Sequence, residues 1–390
     1  MPSRNTTTLE SRHMPKYDVL IVGAGPSGSA TAIHLSRAGA RVLLVDRARF
    51  PRDKPCGGGL TGRALKQAPC DVTPVVEHVV DRFRLRLRFG AQFERTSGEP
   101  LILMTQRRRL DAHLVEQAAA AGADVHDGVR ITAVEVTADG IRATVDGSNV
   151  TATTLVGADG ANGIVAKAAG LDGQIVYGVA LEANVAWSAI DPARYQHTAV
   201  VELGQPRGGY GWVFPKGDHA NLGVGGWGSE GPALREHLYR LAAAHDVPRG
   251  ALADTRGHRL PMRRLGAATP ARGRVLLVGD AAGLVDPLSG DGIYEAFTSA
   301  RLAAETILAG NLQLYPAALA GALDHHAGAS WAAKRALDSH PAACFWAARS
   351  PGVFAVVAGL LQGDVGHPGD ARGLARPPLK LIARLASNRD

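Results

Sequence analysis

Two glycine-rich stretches and one acid carry the first chemical signal in the chain. Gly23-Ala24-Gly25-Pro26-Ser27-Gly28 follows an apolar run and precedes a helical pattern. At this spacing the first glycine makes a tight turn and the second lets the backbone approach a pyrophosphate. The third lets the helix close on the strand. Pro26 and Ser27 open the helix, whose positive end receives the phosphates. Asp46 stands 18 residues after Gly28, at the end of the next apolar run, with Arg47 after it. An acid there binds a ribose hydroxyl and disfavours a 2′-phosphate.

Late in the chain, Gly279-Asp280-Ala281-Ala282-Gly283 places an acid just after another short apolar run. Asp280 is a candidate for the ribityl chain of a flavin. Pro287 and the turn Gly290-Asp291-Gly292-Ile293 then lead into a helix. Its first N–H groups would lie near the pyrimidine edge of the ring and stabilise negative charge there. The nucleotide unit is interrupted and resumes only at residues 275–280. That favours FAD over NAD, because a simple nicotinamide dehydrogenase continues with regular βαβ units.

Cys56 lies in Pro55-Cys56-Gly57-Gly58-Gly59, a permissive loop able to press against a planar ligand. It is either a small buried residue or a group facing flavin or substrate that assists protonation. Cys70 and Cys344 lack such a setting. Tyr210, Trp212 and Phe214 share one face of a strand of period two. That stripe either lines a large apolar pocket or packs a core. No Cys/His/Asp set has metal-ligand spacing, and His325-His326 is assigned to a helix surface.

The elements that must position these residues are legible as patterns. Strands are expected at Tyr17–Val22 and at residues 41–45, 83–89, 124–136, 142–145, 151–156, 176–182, 198–203, 210–215, 220–226 and 274–278. Helices are expected near 27–38, 60–68, 110–121, 165–169, 230–245 and 292–309. Arg82, Arg84, Arg86 and Arg88 alternate with apolar residues, as on a strand with one solvated face. The fold class is α/β. A Rossmann-like FAD-binding domain (17–75, 101–175, 266–330) is interrupted by a mostly antiparallel substrate sheet (76–100, 176–265). A flexible tail (1–16) precedes it and a helical region (331–390) follows.

The chain has 390 residues, 46% apolar and 20% charged, which excludes a disordered protein. Three cysteines cannot form a disulfide scaffold, so a reducing, cytoplasmic setting is the default. The formal charge of +7 comes without a nucleic-acid-binding motif, and nucleic acid is not an expected partner. No apolar run reaches the length of a membrane span. Residues 377–385 combine leucines with Lys380 and Arg384 and are a candidate for peripheral membrane contact. The sequence carries no signal for oligomeric state.

Together these motifs resemble the flavoprotein monooxygenase fold and, within it, the geranylgeranyl reductase family, over about residues 17–309. Arg107 in Arg107-Arg108-Arg109-Leu110-Asp111 resembles the family's FAD-contacting arginine. Asp159 in Gly157-Ala158-Asp159-Gly160 resembles its mid-chain Asp-Gly motif. The Cys56-Gly57-Gly58 loop and Tyr210–Pro215 point to the reductase branch. Asp291 stands where glutamate is common. The resemblance implies hydride delivery from flavin N5 to a C=C bond of an apolar, isoprenoid-type substrate such as a geranylgeranyl lipid or a menaquinone side chain. Cys56, Tyr210 and Trp212 are the candidate catalytic residues, and an ordered water is an alternative proton source. The electron donor stays open between NAD(P)H and a carrier protein. The alternative reading is a monooxygenase or oxidase acting on an aromatic or polyketide-type compound with the same FAD site.

Overall fold

The computed structural model describes residues 16–365, apart from residue 174 and residues 266–269. The expected tail, Lys16 excepted, and the stretch 377–385 lie outside the described residues.

Strand Tyr17–Val22 is an apolar run because both its edges and both its faces are covered. It pairs in parallel with Ser148–Gly157 on one side and Val42–Asp46 on the other. Val275–Leu277 adds in parallel to Ser148–Gly157, and Asp124–Asp127 adds to Val42–Asp46. One face is packed by helices Pro26–Arg37, Arg107–Ala120 and Ile293–Leu308, through Ile33, Leu110, Leu114 and Phe297. The other face carries a smaller core that includes Leu20, Ile141, Leu155 and Val165. The chain therefore leaves this sheet and returns to it, as expected for an interrupted FAD domain.

A second sheet has the order Ala253–Met262, Val176–Ala186, His219–Trp227, Tyr210–Pro215, Thr198–Leu203, Arg82–Leu87, Gln92–Thr96. All its pairs are antiparallel except Thr198–Leu203 with Arg82–Leu87. One face packs on helix Leu234–Ala244 through Val213, Leu222, Leu238 and Leu241. The opposite face carries Tyr210 and Phe214, packed against clusters that include Phe345 and Phe354 of the C-terminal helices Pro341–Ala348 and Pro351–Gln362. Gly59–Thr61, Ile102–Met104 and His78–Val80 form a small third sheet between the two. The α/β class, the inserted sheet and the helical C-terminal region are all present. Among the described residues no single helix is long and apolar enough to cross a membrane. The pair Pro341–Ala348 and Pro351–Gln362 is jointly apolar but bent by 91°.

Several local expectations are corrected. The strand expected at 83–89 ends at Leu87, because Arg88 and Phe89 turn the chain with φ of 48° and 61°. The expected helix at 60–68 shrinks to Gly62–Leu65, since Leu60 belongs to a strand. The strand expected at 124–136 breaks into Asp124–Asp127 and Ile131–Val136 around Gly128 at positive φ. Ala253–Met262 escaped notice because its Gly, Pro and arginines mask the alternation. It is tolerated as an edge strand, where a proline costs no ladder bond on the open side.

Arg86 is a larger correction. Unlike Arg82, which is 43% exposed, its side chain is buried beside Glu202, with Nε–Oε2 at 3.5 Å. It also bonds His245 Nε2 at 3.1 Å, while His245 Nδ1 meets the Tyr195 hydroxyl at 2.8 Å. Burial and the nearby Arg86, Arg194 and Arg84 push His245 from 6.5 down to about 3. The folded pKa lies below the unfolded one, so the unfolded chain takes the proton first. The associated stability is complete above about pH 6.5 and is lost as pH falls toward 3.

Two outcomes are expected in urea denaturation. Glu202→Ala strands the buried Arg86 charge and lowers the unfolding free energy by about 3 kcal/mol near neutral pH. The midpoint of the unaltered protein falls as pH drops below 6.5, and His245→Gln flattens that part of the slope.

Candidate active site

Three motifs far apart in sequence meet at the carboxyl end of the parallel sheet. Gly23 has φ of 101°, and a Cβ there would lie 2.3 Å from the Ala158 carbonyl oxygen. A Cβ on Gly28 would lie 1.8 Å from the Gly23 oxygen. Gly279, at φ of 57°, abuts the Ser27 side chain, and its N–H donates to Ser299 Oγ at 3.0 Å. Only glycine permits these approaches. Asp46 closes the turn from the next strand. Its Oδ2 accepts from Ala24 N at 2.7 Å and its Oδ1 from Ala48 N at 2.8 Å. Arg47 is exposed beside it.

Gly25 is different. A Cβ there would meet no backbone, only the guanidinium tips of Arg52 and Arg107, each at 3.8 Å. Helix Pro26–Arg37 begins at this point without a side-chain cap, so its positive end stays available to an anion. Both arginines lean on one buried carboxylate. Asp111 accepts from Arg107 Nε and Nη2 at 2.7 Å each and pairs with Arg52 at 2.8 Å. The arrangement is an open backbone cradle with excess positive charge, and it fits the pyrophosphate of FAD.

Asp280 lies beside Lys54 at 3.2 Å and His258 at 3.5 Å. Burial opposes its ionisation, but Lys54 and His258 hold the carboxyl well below the usual carboxylate range. A Cβ on Gly292 would lie 3.3 Å from Asp280 Oδ1, so the turn at 290–292 adjoins it. Pro287 is buried in the approach to that turn, and Gly290 has φ of 68°.

The thiol loop and the aromatic strand, singled out separately in the sequence, touch. A Cβ on Gly57 would lie 3.1 Å from the Phe214 ring. The rings of Tyr210, Trp212 and Phe214 follow one another at 6.0 and 6.2 Å. Trp212 Nε1 donates to Asn221 Oδ1 at 2.8 Å, and its ring lies over Gly223, where any side chain would collide with it. The Tyr210 hydroxyl donates to the Ser289 carbonyl, tying this strand to the second FAD motif. Cys56 Sγ accepts from Gly58 N at 3.3 Å, and Cys56 N donates to Glu182 Oε1 at 3.0 Å.

Two residues of this assembly were missed. Lys216, only 2% exposed, follows the aromatic strand and donates from Nζ to the carbonyls of Gly57 and Thr105, the latter at 2.7 Å. Burial lowers its pKa, while Cys56, Glu182 and Glu77 pull the other way. Glu182 was hidden in an unremarkable strand. Burial raises its pKa, against its bond to Cys56 N and the nearby Lys216. A lone lysine two residues beyond the aromatic stripe was the only sequence signal for either.

Other expected residues are placed differently. Asp159 Oδ2 accepts from Ile164 N at 2.6 Å and Val165 N at 3.0 Å, so its carboxylate serves the following short helix. The Ile293 N–H, expected near a flavin edge, donates to Asp291 Oδ1 at 3.0 Å. Asp291 also faces Arg63 at 3.3 Å, next to buried Glu295. Burial, Asp291 and Asp286 push Glu295 well up. His326, expected on a surface, faces inward at 3.6 Å from Asp286.

The family model described as FAD binding domain matches residues 16–310. Menaquinone reductase of Mycolicibacterium smegmatis is 34% identical over 347 residues, covering 83% of this chain and 84% of that protein. Geranylgeranyl diphosphate reductase of Synechocystis is 31% identical over 316 residues, covering 75% of each. Among solved structures, a geranylgeranyl bacteriochlorophyll reductase-like protein from Thermoplasma acidophilum superimposes with a TM-score of 0.77 at 23% identity. It covers 95% of this chain and 96% of that one, a likeness of fold.

The three glycines of the first turn give a discriminating prediction. Gly25→Ala leaves the apoprotein's thermal midpoint unchanged but lowers FAD affinity about tenfold or more, because the methyl enters the phosphate cradle. Gly23→Ala and Gly28→Ala meet backbone at 2.3 and 1.8 Å and lower the midpoint itself. Flavin absorbance per protein and a thermal melt of each apoprotein measure the difference.

Proposed function

This chain belongs to the FAD-binding-domain family of flavin-dependent oxidoreductases, and from that premise we propose that it is a reductase that saturates carbon–carbon double bonds of an isoprenoid-type substrate. The observation that carries the reading is the contact between the Cys56 loop and the aromatic strand, beside the turn that follows Asp280. The names of the menaquinone and geranylgeranyl diphosphate reductases to which the chain is similar support it.

When bound, FAD would supply a hydride to one alkene carbon. The protein must hold the alkene and give a proton to the other carbon. Tyr210, Trp212 and Phe214 offer an apolar wall, which suits a chain without polar handles, and positioning is then the main contribution. Trp212 and Tyr210 already commit their N–H and O–H to Asn221 and to the Ser289 carbonyl. Burial, with Asp286 and Asp291 nearby, raises the Tyr210 pKa and makes it a poor acid. Cys56 Sγ enters its bond with Gly58 N only as an acceptor, so a proton on the sulfur is not committed to that bond. Cys56 is therefore the preferred proton donor. Asp280, with Gly292 alongside, serves the ribityl chain. Arg52, Arg107, Gly25 and the helix start serve the pyrophosphate, and Asp46 the adenosine ribose.

The test is anaerobic. Protein reduced with dithionite, NADH or NADPH is mixed with geranylgeranyl diphosphate or menaquinone, and products are weighed by mass spectrometry. Gain of two hydrogens per reduced bond without oxygen is expected. Product formed only with O2, with oxygen inserted, overturns the reading. Cys56→Ala keeps its FAD and loses about a hundredfold in turnover, and unchanged turnover removes Cys56 from the mechanism. Asp280→Ala is expected to lose flavin on gel filtration.

A further inference from the structure

We propose that Lys216 is a positioning residue that locks the Cys56 loop to the segment carrying Arg107, so that thiol and flavin-binding arginine hold a fixed spacing. This rests on the reductase reading for its effect on turnover, but not for its effect on the thiol. Lys216 Nζ donates both to the Gly57 carbonyl, next to Cys56, and to the Thr105 carbonyl, two residues before Arg107. Thr105 N in turn donates to the Gly58 carbonyl at 2.9 Å. One ammonium thus joins the thiol loop, the end of strand Ile102–Met104 and the end of the aromatic strand.

The fit is close. A Cβ on Gly58 would lie 1.9 Å from Lys216 Nζ and 2.0 Å from the Thr105 oxygen, and Gly58 has φ of 71°. The loop must therefore be glycine where the ammonium passes under it. No carboxylate pairs with Lys216 within salt-bridge distance among the described residues. Glu182 is engaged instead with Cys56 N. A buried ammonium satisfied by carbonyls is a costly way to fill space, since an apolar side chain of equal length would avoid the desolvation. What it adds is direction: two charge-assisted hydrogen bonds fix two backbone segments relative to each other. Lys216 makes its hydrogen bonds to that backbone and not to the sulfur, so beyond the field its charge adds at Cys56 it governs where the thiol points without touching the reacting atoms.

Lys216→Met tests this in a Cys70→Ser, Cys344→Ser background, where Cys56 is the one thiol. Thermal midpoint and FAD content are expected to hold. Cys56 is expected to react with iodoacetamide about tenfold faster, as the loop opens locally. With geranylgeranyl diphosphate, kcat falls about a hundredfold while KM stays within about twofold, as for a misplaced group. Gly58→Ala disturbs the same lock from the loop side. The double variant is therefore expected to be no slower than the worse single one, and losses that multiply overturn the proposal. An unchanged alkylation rate in folded Lys216→Met also overturns it. If Lys216→Met does not fold, Gly58→Ala alone must show the faster alkylation, and its absence has the same force. A faster alkylation in a protein that reduces no alkene leaves the lock standing and removes the reductase reading instead.

Discussion

The flavin site depends on one close approach, that of the Gly23 turn to Ala158. Two neighbouring parallel strands, Tyr17–Val22 and Ser148–Gly157, end side by side. Their exits run so near each other that no side chain fits at residue 23. Helix Pro26–Arg37 can begin where it does only because that turn is tight. Val275–Leu277 joins the same strand on its far side and delivers Gly279 against Ser27. Asp280 then falls beside the cradle because of strand order, not because of any attraction to it. The second sheet is an insertion between these strands, tied back by the Tyr210 hydroxyl on the Ser289 carbonyl.

Charge is distributed unevenly over this frame. Asp280 lies against Lys54 and His258. Arg63 gathers Asp291 and Glu295 on the far side of the second turn. Among the described residues Lys216 has no carboxylate within salt-bridge distance and relies on carbonyls. Groups buried in this way are worth keeping only where geometry matters more than the desolvation they cost. Each of them borders the turn, the cradle or the thiol loop.

How far the sequence exposes all this varies with the kind of constraint. The first glycine turn and Asp46 were legible, because their residue types follow from local backbone geometry. So was the interrupted sheet, since the apolar runs at 17–22 and 275–277 carry no polar alternation. The aromatic face was visible in period two, but whether it met the Cys56 loop was not. That contact joins residues more than 150 positions apart, and nothing local encodes it. Arg86 and His326 looked like solvated surface because their partners, Glu202 and Asp286, arrive from other elements. Asp159 and Asp291 were expected as ligand residues, and their carboxylates take the N–H groups that open the following helices, a role that acids near glycines share with cofactor binding. Ala253–Met262 was lost because an edge strand tolerates Gly and Pro that a central strand does not.

Asp111 gives the cradle a further property. One buried carboxylate is shared by two guanidinium groups, Arg107 and Arg52, so that corner of the protein is one positive charge out of balance before any ligand arrives. The two negative charges of a diphosphate outweigh that excess, the positive helix end takes up part of the remainder, and the mutual repulsion of the two arginines is relieved. Flavin loading and folding are then two legs of a single thermodynamic cycle: the chain is most stable when saturated, and its resistance to unfolding rises with free FAD. Added salt weakens that coupling by screening the same charges.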